Sequence, residues 1–273
     1  SGIAFSQGYI NWLIFTLALC TTISFQILSN SANDYGDGVK GTDNENRIGP
    51  ERAIQSGAIT SKQMKNAIII WVILSFIFAG LLIYFATQQM PISSIYFYII
   101  LAILCVIAAI TYTVGKNAYG YNGMGDVMVF LFFGIVAVMG VYTLYSKQIE
   151  WINILPACTI GLLSTAVLNL NNMRDRASDI LSNKNTLVVK MGATNAKYYH
   201  AFLIVGAMFS WAYFLNYMNY HLEFISLIPF LILTQHLKRI AKVTDAKAFD
   251  PELKVVSLST FVIAVVYFIT IWF

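Results

Sequence analysis

The sequence predicts an all-α, polytopic membrane protein, a helical bundle with eight transmembrane helices. Hydrophobic residues make up 58% of the 273 residues and charged residues only 11%, whereas soluble domains carry about 25% charged residues. Eight apolar segments have the length, or nearly the length, that a helix needs to cross a bilayer. They cover residues 11–28, 67–87, 94–113, 124–145, 152–170, 198–216, 222–237 and 255–273.

The distribution of lysine and arginine supports this map and orients it. When alternate connections are assigned to one side of the membrane, that side holds all of the 17 basic residues except Lys147. By the positive-inside rule this side is cytoplasmic, so topology explains the basic residues and no nucleic acid partner is expected. The map places Ser1 outside, and we therefore expect a further helix upstream of this chain. A processed N-terminus on the outer side is the alternative.

Two matched polar clusters follow the first and fifth apolar segments, both on the predicted cytoplasmic side. A charged side chain at the hydrocarbon boundary is costly unless it is paired, hydrated or bound to metal. The clusters share the pattern Asn-x-x-x-Asp followed by another Asp, which suggests two halves of one cation site. The first cluster holds Asn33, Asp34, Asp37 and Asp43, and the second holds Asn171, Asp175 and Asp179.

Helical spacing aligns the members of each cluster. If the first helix continues past Leu28, Asn33 and Asp37 share one face, and the second cluster repeats the same spacing. Aligned carboxylates repel each other unless a positive charge lies between them. Mg²⁺ takes one or two carboxylates together with substrate phosphates, so the pattern favours Mg²⁺ bound with a diphosphate. Helix caps and solvated loop carboxylates are the alternative.

Three cytoplasmic loops are expected to form the active site, over about residues 31–66, 114–123 and 171–197. The middle loop holds a single cation, Lys116, among tyrosines and glycines. The tyrosines alternatively form an interfacial aromatic belt, Asp126 alternatively caps the next helix, and some cations alternatively only determine topology. Candidate substrate-binding residues are Lys40, Arg47, Lys116, Tyr119, Tyr121, Asp126, Arg174 and Lys184.

Cysteine and histidine contribute little to the functional prediction. The three cysteines lie far apart in apolar segments, without the spacing of a disulfide framework or a metal site. The histidines at positions 200, 221 and 236 are scattered, and we expect them at helix ends.

These motifs resemble those of the UbiA-type intramembrane aromatic prenyltransferases. The matching elements are Asn33-Asp34-x-x-Asp37, Tyr112-x-x-x-Lys116 and Asp175-x-x-x-Asp179. Within the family, the longer strings over 26–43, 119–126 and 171–175 are similar to the 1,4-dihydroxy-2-naphthoate branch. Two positions depart from the general pattern. The family has its next Asp at the position that is Gly41 in this chain, whereas Asp43 comes two residues later. Asn183 stands before Lys184, where the family commonly has Gly.

The resemblance implies one transmembrane prenyltransferase domain over residues 1–273, N-terminally incomplete, because the family has nine helices and its first carries a substrate-binding Arg. It implies two Mg²⁺ ions, held by the two Asn/Asp clusters and bridging a polyprenyl diphosphate. The implied reaction is polyprenyl transfer to dihydroxynaphthoate with decarboxylation, as in menaquinone biosynthesis, near the cytoplasmic face of the inner membrane. The implied catalytic residues are Asp37, Asp175, Asp179, Lys116 and Tyr112.

Three other functions are alternatives to this one. Within the family, 4-hydroxybenzoate or homogentisate is the alternative acceptor. A CDP-alcohol phosphotransferase would need an Asp-Gly-x-x-Ala-Arg run, but Asp37-Gly38 is followed by Val-Lys-Gly-Thr. A non-enzymatic ion transporter would place its carboxylates at mid-membrane, whereas these clusters lie at the ends of apolar segments.

Overall fold

The computed structural model describes residues 1–42 and 48–273, and this part of the chain is helical without strands. Within these two ranges, eight helical segments are long and apolar enough to cross a membrane, which confirms the predicted number. The α-helices are α1 (Gly2–Ser6), α2 (Trp12–Lys40), α3 (Ser61–Ala86), α4 (Ile92–Thr111), α5 (Gly125–Val129), α6 (Val141–Ser146), α7 (Ile154–Leu181), α8 (Leu187–Tyr217), α9 (Ile228–Lys242) and α10 (Phe249–Thr270). Short 3-10 turns cover Tyr119–Asn122, Trp151–Asn153, Leu222–Leu227 and Ala246–Ala248.

The helices extend beyond the apolar segments at the polar end of the bundle. Helix α2 continues to Lys40 and α7 to Leu181, so both acidic clusters are helical where they are described, and the predicted loops 31–66 and 171–197 were too wide. Helix α3 begins at Ser61, where Thr60 and Gln63 form a reciprocal capping box that satisfies two backbone amides. Hydropathy indicates where lipid contact ends, whereas a helix continues as long as its polar side chains find partners.

The span between α4 and α7 contains a π-helix over Phe130–Gly140, flanked by α5 and α6. Gly134 of this π-helix lies directly against α7. A Cβ atom added at Gly134 would lie 2.6 Å from the carbonyl oxygen of Ala157 and 2.7 Å from Cα of Gly161. Small residues at such crossings allow membrane helices to approach closely, and π-helices are frequent at functional sites.

Helix α7 is the central element of the bundle. It packs extensively against α8, the π-helix and α10, while α2 packs mainly against α3 and α4. Large apolar side chains on the outer surfaces, such as Ile70, Phe97 and Phe209, are exposed, as expected for helices that face lipid. Residues of both polar clusters, on α2 and on α7, line one and the same cavity.

Candidate active site

A cavity of about 620 Å³ opens inside the bundle, with polar side chains at one end and apolar ones along its length. Helices α2, α3, α4, α7 and α10 and the π-helix contribute to its wall. Its polar end is lined by Asn30, Asn33, Asp37, Thr42, Arg52, Tyr112, Tyr119, Asn171, Asn172, Asp175, Ser178, Asp179 and Lys184. Its apolar part includes Phe25, Leu82, Leu101, Phe132, Phe133, Val136, Leu144 and Leu168.

On α2, Asp37 is the most buried carboxylate, and donors surround it. Lys184 Nζ donates to its Oδ2 at 2.9 Å, and the Tyr121 hydroxyl donates to its Oδ1 at 2.7 Å. With its amide oriented by its neighbours, Asn33 donates to Oδ2 of Asp37 at 3.2 Å and accepts from Arg52 Nη2 at 3.2 Å. The Asp37 charge is thus balanced by a cation from the α7–α8 connection, which couples the two halves of the site.

On α7, the second cluster surrounds Arg174, whose side chain is almost completely buried. Its Nε and Nη2 donate to the two carboxylate oxygens of Asp175 at 2.8 and 2.7 Å, and Nη2 also donates to Asn171 Oδ1 at 2.7 Å. Its Nη1 donates to Asp250 Oδ1 at 2.6 Å. Such charge-assisted, bidentate bonds are the strong ones, so the oxygen ligands on α7 are held in fixed positions.

Tyr112, just after α4, brings an aromatic ring into the polar end of the cavity. Thr113 Oγ1 donates to the Ala32 carbonyl at 3.0 Å, and the Thr113 side chain occupies space that Gly36 leaves free on α2. These two contacts hold the segment after α4 against α2. Burial, reinforced by the nearby charge of Asp37, raises the pKa of Tyr112 well above its ordinary value. Tyr119 packs edge-on against it at 5.3 Å between ring centroids, and burial raises the pKa of Tyr119 as well.

The structure brings together eight of the predicted site residues within residues 1–42 and 48–273. The cavity wall includes Asn33, Asp37, Tyr112, Tyr119, Asn171, Asp175, Asp179 and Lys184. Asp43 and Arg47 lie outside the described residues. The remaining candidates, which are Asp34, Lys40, Lys116, Tyr121, Asp126 and Arg174, are absent from the described part of that wall.

These six residues occupy supporting or peripheral positions. Asp34 accepts a hydrogen bond from the Ala53 backbone amide at 3.1 Å and so anchors the segment after Pro50. Tyr121 holds Asp37, and Lys40 lies 4.0 Å over the Tyr121 ring. Lys116 is exposed, and Asp126 is buried at the start of α5.

Two further residues belong to the site and were missed as candidates. Arg52 lines the cavity, whereas the sequence indicates it only as one of several basic residues near the carboxylates, without a role of its own. Asp250, at the first turn of α10, bonds to Arg174 from a distance of 76 residues along the chain. A usable signal for Asp250 was its position directly before the last apolar segment, in the run Asp250-Pro251-Glu252.

The donor chemistry at the polar end fits Mg²⁺ together with a diphosphate. Within the described residues, no three His, Cys, Asp or Glu side chains converge so as to hold a metal by themselves. The wall does offer carboxylate and amide oxygens from both clusters, and Mg²⁺ needs few protein ligands because it keeps waters and binds substrate phosphates. Asn33, Asp37, Asn171, Asp175 and Asp179 are therefore the residues suited to hold it.

Comparison with known proteins identifies the family. The model of the UbiA prenyltransferase family matches residues 1–271. This chain belongs to the UbiA prenyltransferase family. The match covers nearly the whole chain, including both acidic clusters and the Tyr112 segment, as the motif resemblance predicts.

Curated members of the UbiA family align along much of the chain. One is the Escherichia coli (strain K12) 1,4-dihydroxy-2-naphthoate octaprenyltransferase, 43% identical over 93% of this chain and 82% of its own length. The Haemophilus influenzae protein of the same name is 48% identical over 72% of this chain, and the alignment spans 63% of that relative. The UbiA prenyltransferase domain-containing protein 1 of Dictyostelium discoideum is 26% identical over 91% of this chain and 74% of its own length.

A solved structure supports the fold independently. The structure of a digeranylgeranylglyceryl phosphate synthase matches with a TM-score of 0.59, covering 99% of this chain and 91% of that one. Because the two sequences are only 16% identical, this likeness concerns the UbiA-family fold alone.

Proposed function

We propose that this chain transfers a polyprenyl group from a polyprenyl diphosphate to 1,4-dihydroxy-2-naphthoate, with loss of carbon dioxide. The observation that carries the proposal is the cluster of carboxylate and amide oxygens at the polar end of a long apolar cavity. A metal-bound diphosphate needs such a polar end, and a polyprenyl tail needs the apolar remainder of the cavity. The relative aligned along 93% of this chain bears the name of this activity.

The polar end would bind the diphosphate through metal and lysine. Asn33, Asp37, Asn171, Asp175 and Asp179 would hold two Mg²⁺ ions, which when bound neutralise the charge that grows on the departing pyrophosphate. Lys184 lines the wall at the same end, paired with Asp37 at 2.9 Å, and adds a cation beside the leaving group. Arg174 holds Asn171 and Asp175 in position.

The remainder of the cavity suits the carbon chemistry. Cleavage of the bond between the allylic carbon and the diphosphate oxygen leaves an allylic cation, which the face of an aromatic ring can stabilise. The Tyr112 ring lies at this end of the cavity, and its raised pKa keeps the hydroxyl protonated, so the residue carries no charge that would trap the cation. The ring carbon of the naphthoate that bears the carboxylate then attacks, and loss of carbon dioxide returns the bonding electron pair to the ring.

The distribution of basic residues supports a position for this chemistry at the cytoplasmic face of the inner membrane. Both clusters lie on the predicted side whose connections together carry all of the 17 lysines and arginines except Lys147, which marks the cytoplasmic side. The Mg²⁺-bound diphosphate would then be within reach of cytoplasmic water.

The test uses purified protein in lipid nanodiscs with Mg²⁺, a polyprenyl diphosphate and either dihydroxynaphthoate or 4-hydroxybenzoate. We expect pyrophosphate and carbon dioxide to be released with the naphthoate only, to stop on chelation and to resume when Mg²⁺ is restored. Asp37→Ala and Asp175→Ala should each slow the reaction by about 10²–10³, as removal of a transition-state stabiliser does.

Asp245→Ala is the matched control. Asp245 is exposed and caps only a short 3-10 turn, so its removal should leave the rate unchanged. Full activity in chelator, or in either cavity variant, would contradict the metal mechanism, and turnover of 4-hydroxybenzoate instead of the naphthoate would contradict the proposed acceptor.

A further inference from the structure

The Arg174 guanidinium connects the α7 oxygen ligands to a residue on α10. The guanidinium donates two hydrogen bonds to Asp175, one to Asn171 and one to Asp250. The first two partners line the cavity, whereas Arg174 and Asp250 are outside its described wall. Arg174 therefore holds Asn171 and Asp175 from the side that faces away from the cavity.

Asp250 supplies the anchor for this guanidinium. It lies in the first turn of α10, with its Oδ1 atom 2.6 Å from Arg174 Nη1. A buried arginine has several side-chain torsions, and a bond to Asp175 alone would leave the pair free to turn together. A second carboxylate from another helix fixes the guanidinium plane, and through it the two oxygens that face the cavity.

Gly49, in the segment before α3, also lies close to the Arg174 guanidinium. Gly49 lies so near that a Cβ atom added there would be 2.5 Å from Nη2 and 2.6 Å from Cζ of Arg174. A side chain at position 49 would therefore have to displace the Arg174 guanidinium. Asp250 and Gly49 constrain the same group from different parts of the chain.

We propose that Asp250 is a positioning residue for the Mg²⁺–diphosphate site, acting through Arg174 on Asn171 and Asp175. The inference rests on the proposed function, because it concerns the ligands of that metal. Partners that orient metal ligands typically contribute 10- to 100-fold to metal affinity. Loss of the Asp250 carboxylate should therefore raise the Mg²⁺ requirement and leave the acceptor requirement alone.

The same turn of α10 offers a matched control in Glu252. This carboxylate is likewise ion-paired, although its side chain is only 9% exposed against 38% for Asp250, and it bonds to His236 Nδ1 at 2.5 Å and to Arg239 Nε at 2.5 Å, both on α9. Removing Glu252 perturbs the packing of α10 on α9 without touching Arg174. A purely structural role for the first turn of α10 predicts the same effect from both substitutions, whereas the proposal predicts different ones.

The experiment measures thermal stabilisation of the full chain by inorganic pyrophosphate as Mg²⁺ is titrated, and in parallel the Mg²⁺ dependence of the initial rate. In Asp250→Ala, the Mg²⁺ concentration at half-effect should rise about 10-fold in both measurements. Asp250→Glu should restore most of the affinity, because its carboxylate can still pair with Arg174. Glu252→Ala should lower the melting temperature but keep the wild-type Mg²⁺ midpoint.

Gly49→Ala displaces the guanidinium without altering α10 and should shift the Mg²⁺ midpoint in the same direction, so the test stands even if Asp250→Ala fails to fold. An unchanged midpoint in a folded Asp250→Ala or in Gly49→Ala, or an equal shift in Glu252→Ala, overturns the positioning role while leaving the proposed function intact. If the wild-type protein shows no Mg²⁺-dependent stabilisation by pyrophosphate, the metal mechanism fails and this inference fails with it.

Discussion

Replacing Lys184 by methionine removes the cation that faces Asp37 across 2.9 Å. The Lys184 and Asp37 side chains are only 11% and 2% exposed, so water cannot take over the role of the missing ammonium group. Asp37→Asn removes the opposite charge and leaves Lys184 without its carboxylate. The pair is therefore suited to a double-mutant cycle.

The expected magnitudes follow from the contacts that survive each substitution. Removing one partner of a buried ion pair typically costs about 3–5 kcal/mol. In Lys184→Met, Asp37 keeps the Tyr121 hydroxyl at 2.7 Å and the Asn33 amide at 3.2 Å, which lowers the expected loss to about 2–3 kcal/mol. In Asp37→Asn the amide oxygen can still accept a hydrogen bond from Lys184, so the expected loss is again about 2–3 kcal/mol. In the double variant neither charge is left without its partner. Its free energy of unfolding should therefore fall by only about 3 kcal/mol, instead of the additive sum of about 5 kcal/mol.

The assay is equilibrium unfolding by sodium dodecyl sulfate in mixed micelles, in the absence of Mg²⁺, because a bound cation would itself compensate Asp37. Lys254→Met serves as the control, since Lys254 is exposed on α10, and it should change the free energy of unfolding very little. If the two single losses add to within about 0.5 kcal/mol in the double variant, the ion pair is not energetically coupled and the reasoning is refuted.

Two further outcomes are expected. Gly134→Ala should destabilise the fold by about 1–3 kcal/mol through overpacking against Ala157. Gly140→Ala in the same π-helix should be tolerated, because a Cβ atom there meets nothing within 4 Å. Equal melting temperatures for the two variants would contradict the steric explanation. Tyr112→Phe should keep most of the prenyl-transfer rate and, because burial raises the pKa of the Tyr112 hydroxyl and keeps it protonated, should leave the pH–rate profile unchanged between about pH 7 and 9. Tyr112→Leu should lose roughly 10-fold in rate with the cation–π contact, and a Leu variant as fast as Phe would rule out that contact.

The sequence contained enough information for the eight spans and for most of the site. Spans depend on local hydropathy and on the side of the basic residues, and both can be counted along the chain. The shared face of Asn33 and Asp37 depended only on helical spacing, and α2 continues far enough to make that spacing real. The facing of the α2 and α7 clusters followed from the family motifs.

Contacts between distant helices could not be predicted in the same way. Arg174 was predicted to bind the diphosphate, and that stays a prediction; in this structure four of its N–H groups donate to Asp175, Asn171 and Asp250. Only the tertiary packing of α10 on α7 reveals the last of these partners. Lys116 was expected among the catalytic residues, but the chain after Tyr112 turns so that its side chain is exposed.

The histidines show the same limit. His200 and His236 were expected at helix ends and apart, whereas both are completely buried and their Nε2 atoms lie 2.7 Å from each other. The helices α8 and α9 extend beyond the predicted apolar segments, to Leu187 and Lys242 respectively, which places these rings inside the bundle. No local pattern marks a pair whose members are 36 residues apart on different helices.

The two-ended cavity has a consequence for how products would separate. A pyrophosphate released at the polar end would enter water, while the prenylated ring would stay attached to a tail that lies among the apolar side chains of the cavity. The two products would thus leave into different phases, and neither would easily meet the other again. Under the proposed reaction, we expect this physical separation to oppose the reverse transfer even where pyrophosphate accumulates in solution.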